Sequence, residues 1–146
     1  MKLGFMTAAF PNLSFEEVAA WAAGNGFEML EVACWPVGKA ERPYSGDTHI
    51  DVEIFSAEDA DGIQAVLTKY GLAISTLGYY PNPLHPDPDH RTMVIDHLKK
   101  VILAAEKLEV PIVGTFVGRD KNKTTEDNLA NFKAVWPPIV KFAAEH

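Results

Sequence analysis

The sequence predicts an α/β fold of four βα units, with parallel strands, outer helices and a barrel-type winding. Three observations carry that expectation. Short apolar runs alternate with longer amphipathic segments four times, and no hairpin signal stands between the runs. Every long, proline-rich or aromatic connection, at 10–13, 35–56, 78–90 and 117–124, follows an apolar run, whereas the returns from helix to strand are short. Parallel strands joined through helices need right-handed crossovers, and long loops gathered at one end of the strands are what a barrel's working face requires. A doubly wound sheet with helices on both faces is the competing solution. A closed barrel takes eight units, and this chain supplies four.

The first apolar run is Leu3 to Thr7. Ser14 occupies an N-cap position with Glu17 three residues on, so the first helix opens there, and Phe15, Val18, Ala19, Ala22 and Ala23 fall on one face. Gly24-Asn25-Gly26 ends it, and Met29 to Cys34 is the second run. Residues 36–56, with Pro36, Gly38, Pro43 and Gly46, read as an extended excursion after that strand. The second helix is expected from Ala57 or Glu58 to Tyr70, stopped by Gly71, and the third strand over Leu72 to Leu77. Four prolines between Gly78 and His90 exclude helix and central strand there. The third helix is expected over Arg91 to Leu108, the fourth strand over Val110 to Phe116, and the last helix over Thr125 to Glu145, interrupted at Pro137 and Pro138.

At 146 residues, 47% apolar and 23% charged, the chain suits one soluble globular domain spanning 1–146. No apolar stretch approaches the roughly 18 residues of a membrane span, and the N-terminus lacks the basic start and cleavage site of a signal peptide, so a cytoplasmic protein is expected. Thirteen Lys and Arg against twenty Asp and Glu leave a net charge of −7, which repels phosphate backbones and anionic lipid; neither nucleic acid nor membrane is an expected partner. The single cysteine, Cys34, excludes an internal disulfide and agrees with a reducing compartment. With no G-x-G-x-x-G and no P-loop, nucleotide cofactors are not indicated.

The opening LGFMTAAFPNLSFEEVAAWAAGNGFEMLEVACWP, with its Gly26-Phe27-Glu28-x-x-Glu31-Val32 step into the second strand, resembles the xylose isomerase-like TIM barrels, the sugar isomerase and epimerase superfamily. The segments LAISTLGYYPNPLHPDPDHR and VPIVGTFVGRDKNKTTEDNLANF are similar to the third strand with its loop and to the fourth strand of those proteins, so the resemblance covers essentially the whole chain. It implies the N-terminal half of a barrel that moves a proton next to a sugar carbonyl with help from a divalent metal (Mn, Mg, Co or Zn). It places the metal ligands and the catalytic glutamate pair on later strands, beyond residue 146, so the 146 residues alone should be inactive. The implied partner is a small sugar or sugar-like polyol.

Glu31, His49, Asp51, His85, Asp87, Asp89, His90 and Asp120 are the carboxylates and imidazoles in reach of such chemistry. None forms a His-x-His, His-Glu-x-x-His or Cys-x-x-Cys arrangement, so no metal ligand and no catalytic residue is assigned within this chain. Glu31 shares a strand face with Met29 and Ala33; pointing inward, it is a buried carboxylate whose partner is expected in the remainder of the barrel. Trp35, Tyr79, Asn82, Thr115 and Phe116 stand after or at the ends of strands, where the resemblance places substrate, and are expected to bind it. Tyr80 is expected to cover the barrel top, His85 to be a solvated loop residue, and the Arg119-Asp120-Lys121-Asn122-Lys123 run to be a surface loop.

Two other functions are compatible with the same fold. Zinc-dependent apurinic endonucleases carry histidines at the ends of the third and fourth strands, where this chain reads Leu77-Gly78-Tyr79 and Gly114-Thr115-Phe116, and its net charge is −7. A non-catalytic half-barrel would expose two strand edges and an apolar sheet face, and would self-associate or pair with a complementary chain. A homo-oligomer is accordingly expected.

Overall fold

The computed structural model describes residues 1–38 and 46–146. The part of the excursion that holds Pro43 lies outside the described residues. Strands β1 (Gly4–Met6), β2 (Met29–Ala33), β3 (Ala73–Gly78) and β4 (Val113–Gly114) alternate with helices α1 (Phe15–Gly24), α2 (Ala57–Tyr70), α3 (Pro88–Lys107) and α4 (Thr125–Glu145). The four strands pair in parallel in the order β1-β2-β3-β4, and an isolated antiparallel bridge joins Cys34 to Thr48. A doubly wound sheet must reverse its strand order somewhere. This one never does, so right-handed crossovers keep the helices on one side, where successive helices touch. The described residues contain no helix long and apolar enough to cross a membrane.

Local chemistry explains where the helices begin. The Ser14 hydroxyl accepts from the Glu17 amide at 3.3 Å while the Glu17 carboxylate accepts from the Ser14 amide at 2.7 Å, and Ser56 and Asp59 repeat the arrangement at α2. Helix α3 starts three residues before the expected Arg91. The Asp87 carboxylate accepts from the Asp89 amide at 2.9 Å, and Pro88 fits the first helical position because its missing N–H would have had no helical partner there.

Helices α1 and α2 end through Gly26 and Gly71 in the left-handed region, at φ 79° and 67°. Helix α4 corrects another expectation, for it runs through Pro137 and Pro138 without interruption. Both prolines, and Lys133 and Ala134 four residues before them, are exposed, so the carbonyls left without a donor can be met by water. Strand β4 is shorter than expected because Val110 is used in closing α3 and Pro111 has no amide to give a ladder.

The core lies between sheet and helices. Leu30, Val32 and Leu77 on the sheet and Val18, Ala19 and Val101 on the helices are fully buried, each large side chain contributing about 1.5–3 kcal/mol. Cys34 continues this face, and burial pushes its thiol pKa up, which keeps it an unreactive thiol. One irregularity decides what the other face displays. Leu30 pairs with Ile74 but Glu31 with Thr76, so Ser75 is an extra residue in β3, its hydroxyl donating to the Leu30 carbonyl at 3.1 Å. After that bulge Thr76, Gly78 and Tyr80 face away from the helices, while Leu77 and Tyr79 face toward them.

Candidate active-site face

The face turned away from the helices carries Met6, Glu31 and Thr76 side by side in register. Gly78 and Gly114, paired at the ends of β3 and β4, contribute no side chain, and the Tyr80 ring fills the space they leave. A Cβ on Gly78 would stand 2.8 Å from Glu31 Oε1 and 3.1 Å from Tyr80 Cε2, so any larger residue there would force the pair apart. Tyr80, from the segment after β3, thereby reaches β2, and its hydroxyl donates to Glu31 Oε1. Burial first, and the Glu31 carboxylate second, push the Tyr80 phenol well above its ordinary pKa of 10. Tyr80 is therefore a neutral phenol whose one proton is committed to Glu31. The Phe116 ring lies 4.8 Å from Tyr80 and that of Trp35 5.9 Å away; Phe116 is 59% exposed and Trp35 is buried.

Behind this face sits a brace. Tyr79 is 1% exposed, with its ring 4.5 Å from that of His97 and 5.8 Å from Trp35. Nε2 of His97, on α3, donates to the Cys34 carbonyl at 2.8 Å, and its Nδ1 stands 3.1 Å from Glu53 Oε1. Lys100 holds the other Glu53 oxygen. Both ring nitrogens of His97 thus stand beside oxygen atoms. Lys100 foremost, then His97, hold the Glu53 carboxyl below its ordinary pKa.

The structure divides the five residues expected at the substrate. Trp35 and Phe116 gather with Tyr80 and Glu31 on the face away from the helices. Asn82 ties the loops after β3 and β4 together, its Nδ2 donating to the Arg119 carbonyl at 2.7 Å and its Oδ1 accepting from the Leu84 amide at 2.9 Å. Tyr79 and Thr115 turn to the helix side. Thr115 lines a cleft of about 250 Å³ between α3 and α4, where its hydroxyl is buried without a partner among the described residues. Glu31 was expected to find its partner outside the chain; that partner is Tyr80, forty-nine positions on. Only the bulge at Ser75, invisible in the hydrophobic pattern, puts Tyr80 rather than Tyr79 on this side.

The other titratable candidates remain scattered. His49 bonds Ala33 through its main chain, and burial lowers its imidazole pKa against the opposing pull of the Phe10 and Leu13 carbonyls and Asp47. The His85 and His90 rings lie 4.3 Å apart at the start of α3, with His85 Nδ1 accepting from the Asp87 amide at 3.2 Å. Asp51 and Asp120 accept from amides two residues on, those of Glu53 and Asn122. Among the described residues no three His, Cys, Asp or Glu side chains gather as metal ligands would. One carboxylate already engaged by a phenol is not a donor set for a divalent ion, so the described residues do not fit such an ion by themselves.

Comparison with known proteins places this geometry. A family model described as xylose isomerase-like TIM barrel matches residues 19–146. The chain belongs to that family. Among curated proteins it is 25% identical over 144 residues to the uncharacterized protein YfiH of Bacillus subtilis (strain 168), covering 97% of this chain and 44% of that one. Among solved structures, D-psicose 3-epimerase of Clostridium cellulolyticum H10 superposes with a TM-score of 0.69 at 19% identity, over 99% of this chain and 49% of its own. The 3-keto-D-glucoside 4-epimerase YcjR of E. coli does so with a TM-score of 0.61 at 16% identity, over 99% and 52%. The chain spans about half the length of the proteins it matches. In a xylose isomerase-like barrel the working face lies at the carboxyl ends of the strands. Tyr80, Trp35 and Phe116 stand just beyond those ends, and Glu31 in the middle of β2 is reached from there by the Tyr80 hydroxyl.

Proposed function

We propose that this chain forms four βα units of a sugar isomerase or epimerase-like barrel and supplies one wall of its substrate site. A single observation carries the reading: a strand carboxylate, Glu31, bonded by the Tyr80 hydroxyl on the face away from the helices, flanked by the Trp35 and Phe116 rings. The exposed Phe116 ring suits the C–H surface of a sugar, and the carboxylate suits its hydroxyls. Tyr79 braces Trp35 from behind, Asn82 ties the two rim loops, and Thr115 lines the cleft between α3 and α4. Moving a proton next to a sugar carbonyl calls for a divalent ion (Mn, Mg, Co or Zn) to polarise that carbonyl. We place the ligands of that ion outside residues 1–146.

The test compares two proteins, this chain and the product of the longest reading frame that contains it. Each is incubated with Mn, Co or Mg and a panel of ketoses. Epimerisation or isomerisation by the longer product alone supports the reading. Turnover by the short chain overturns the placement of the ligands, and turnover by neither overturns the function.

A second reading, a module that associates through its sheet, is favoured by a different observation. Leu3 beside β1, and Ile112 and Val117 beside β4, are each more than half exposed at the two outer strands of the sheet.

A further inference from the structure

We propose that the Glu31–Tyr80 pair reads an uncharged, hydroxyl-bearing end of the substrate and excludes a phosphate or carboxylate from that position. The inference rests on the sugar-handling function proposed above and narrows its substrate class. It follows from counting donors and acceptors. Tyr80 has one hydroxyl hydrogen, which goes to Glu31 Oε1, so its oxygen can only accept from a ligand. Glu31 Oε2 has no partner among the described residues, and an ionised carboxylate only accepts.

The Tyr80 oxygen and Glu31 Oε2 therefore offer two acceptor atoms and one negative charge beside Met6 and Thr76, and the neighbouring positions Gly78 and Gly114 bring no side-chain donor. The lower part of the hollow is lined by Lys2, Gly4, Phe5, Met6, Met29 and Ser75 beside Glu31, and Lys2, at its open bottom edge, is exposed to water. Two neighbouring sugar hydroxyls can each donate one hydrogen to these acceptors, while the Thr76 hydroxyl and, at the edge, Lys2 are the side-chain donors nearby. A phosphate oxygen brings a second negative charge and no donor, and would be repelled. The exposed Phe116 ring offers its face to the carbon-bound hydrogens between such hydroxyls, and Trp35 is buried against the Tyr80 ring.

Ligand-detected NMR and calorimetry on the protein, with D-fructose and its 1- and 6-phosphates as probes, test the proposal. The uncharged ketose should bind at least about tenfold more tightly than either ester, the order expected for hydrogen bonds to a charged group. Glu31→Gln, which swaps an acceptor for an amide donor and removes the charge, should weaken ketose binding about tenfold and narrow or reverse the gap to the esters. Phosphate esters bound equally well by the unaltered protein, or ketose affinity unmoved in Glu31→Gln, would overturn the assignment while leaving sugar handling intact. Failure of every sugar to bind the product of the longest reading frame would overturn the function itself, and the assignment with it. Ultraviolet titration of the phenols keeps the pair testable without any sugar: Glu31→Gln should lower the pH at which Tyr80 ionises, measured against Tyr80→Phe as blank. An unchanged titration would show that the pair does not form.

Discussion

A Cβ built on Gly114 would stand 2.5 Å from the Tyr80 hydroxyl oxygen and 3.0 Å from Thr76 Cγ2. The first of these atoms is the free end of a side chain that can swing, and Gly114 has no left-handed backbone that only glycine favours. Gly114→Ala should therefore fold, with Tyr80 displaced from Glu31. The expected outcome is an unfolding free energy in urea within about 1 kcal/mol of the parent and a Tyr80 phenol that ionises closer to its ordinary value. Absorbance at alkaline pH, corrected with Tyr80→Phe, gives the second quantity. A folded variant whose phenol ionises as in the parent would show that Gly114 does not make room for Tyr80 at Glu31.

His97 joins α3 to the end of β2 and to the segment before α2, so its loss should be felt in three places. His97→Leu leaves the Cys34 carbonyl without its donor and Glu53 with Lys100 alone, at a cost of about 1–3 kcal/mol. The pH dependence has a definite sign. Lys100 first, then His97, depress the Glu53 carboxyl below its ordinary 4.5 in the folded chain, so its contribution is complete above that value and is lost as pH falls through the lowered one. The Glu53 side chain is 43% exposed, which limits the contribution to under about 1 kcal/mol. Urea unfolding should show a constant gap between the parent and Glu53→Gln from about pH 7 to about pH 5, closing at lower pH. A gap that widens on acidification would reverse the assigned sign.

The end of α3 offers a stabilising substitution. The Val110 amide reaches back to the Ala105 carbonyl at 2.9 Å and the Glu109 amide to that of Glu106 at 3.1 Å, the two bonds of a Schellman cap. The turning residue is Glu109, at φ 55°, where α1 and α2 use glycine. A side chain in that region costs on the order of 1 kcal/mol. Glu109→Gly should raise the unfolding free energy by about 0.5–1 kcal/mol with no change in the helix content measured by circular dichroism.

How far such features can be read from sequence depends on how local their causes are. Ser14 with Glu17, and Gly71 after Tyr70, act within one helical turn, and α1 and the end of α2 were legible from them. Pro88 was misjudged as a barrier because a proline excludes helix everywhere except the first turn, and only Asp87 marks that turn. The site was less legible. Alternation along β3 assigns Tyr79 and Tyr80 to opposite faces, but which face belongs to which depends on Ser75 being counted as a bulge. The same register carries Thr115 to the helix side with Tyr79, and Phe116 to the side of Tyr80. The Glu31–Tyr80 bond depends on two glycines on neighbouring strands, a coincidence no short window contains.

The outer strands supply the last prediction. β1 pairs only with β2 and β4 only with β3 among the described residues, leaving a row of unpaired main-chain groups on each outer side. Leu3 and Ile112, at 59% and 55% exposure, stand beside those rows. Unprotected edges with apolar neighbours pair with other chains, and burying a few hundred Å² at about 25 cal/mol per Å² yields several kcal/mol. The 146-residue chain should therefore sediment as an assembly at micromolar concentration and dissociate on dilution. Ile112→Lys places a charge at the β4 edge without touching Glu31, Tyr80 or their rings, and should shift the sedimentation profile toward monomer while leaving the circular dichroism spectrum unchanged. A folded monomer at every concentration, unaltered by the lysine, would mean that the edges are too short and twisted to recruit a partner.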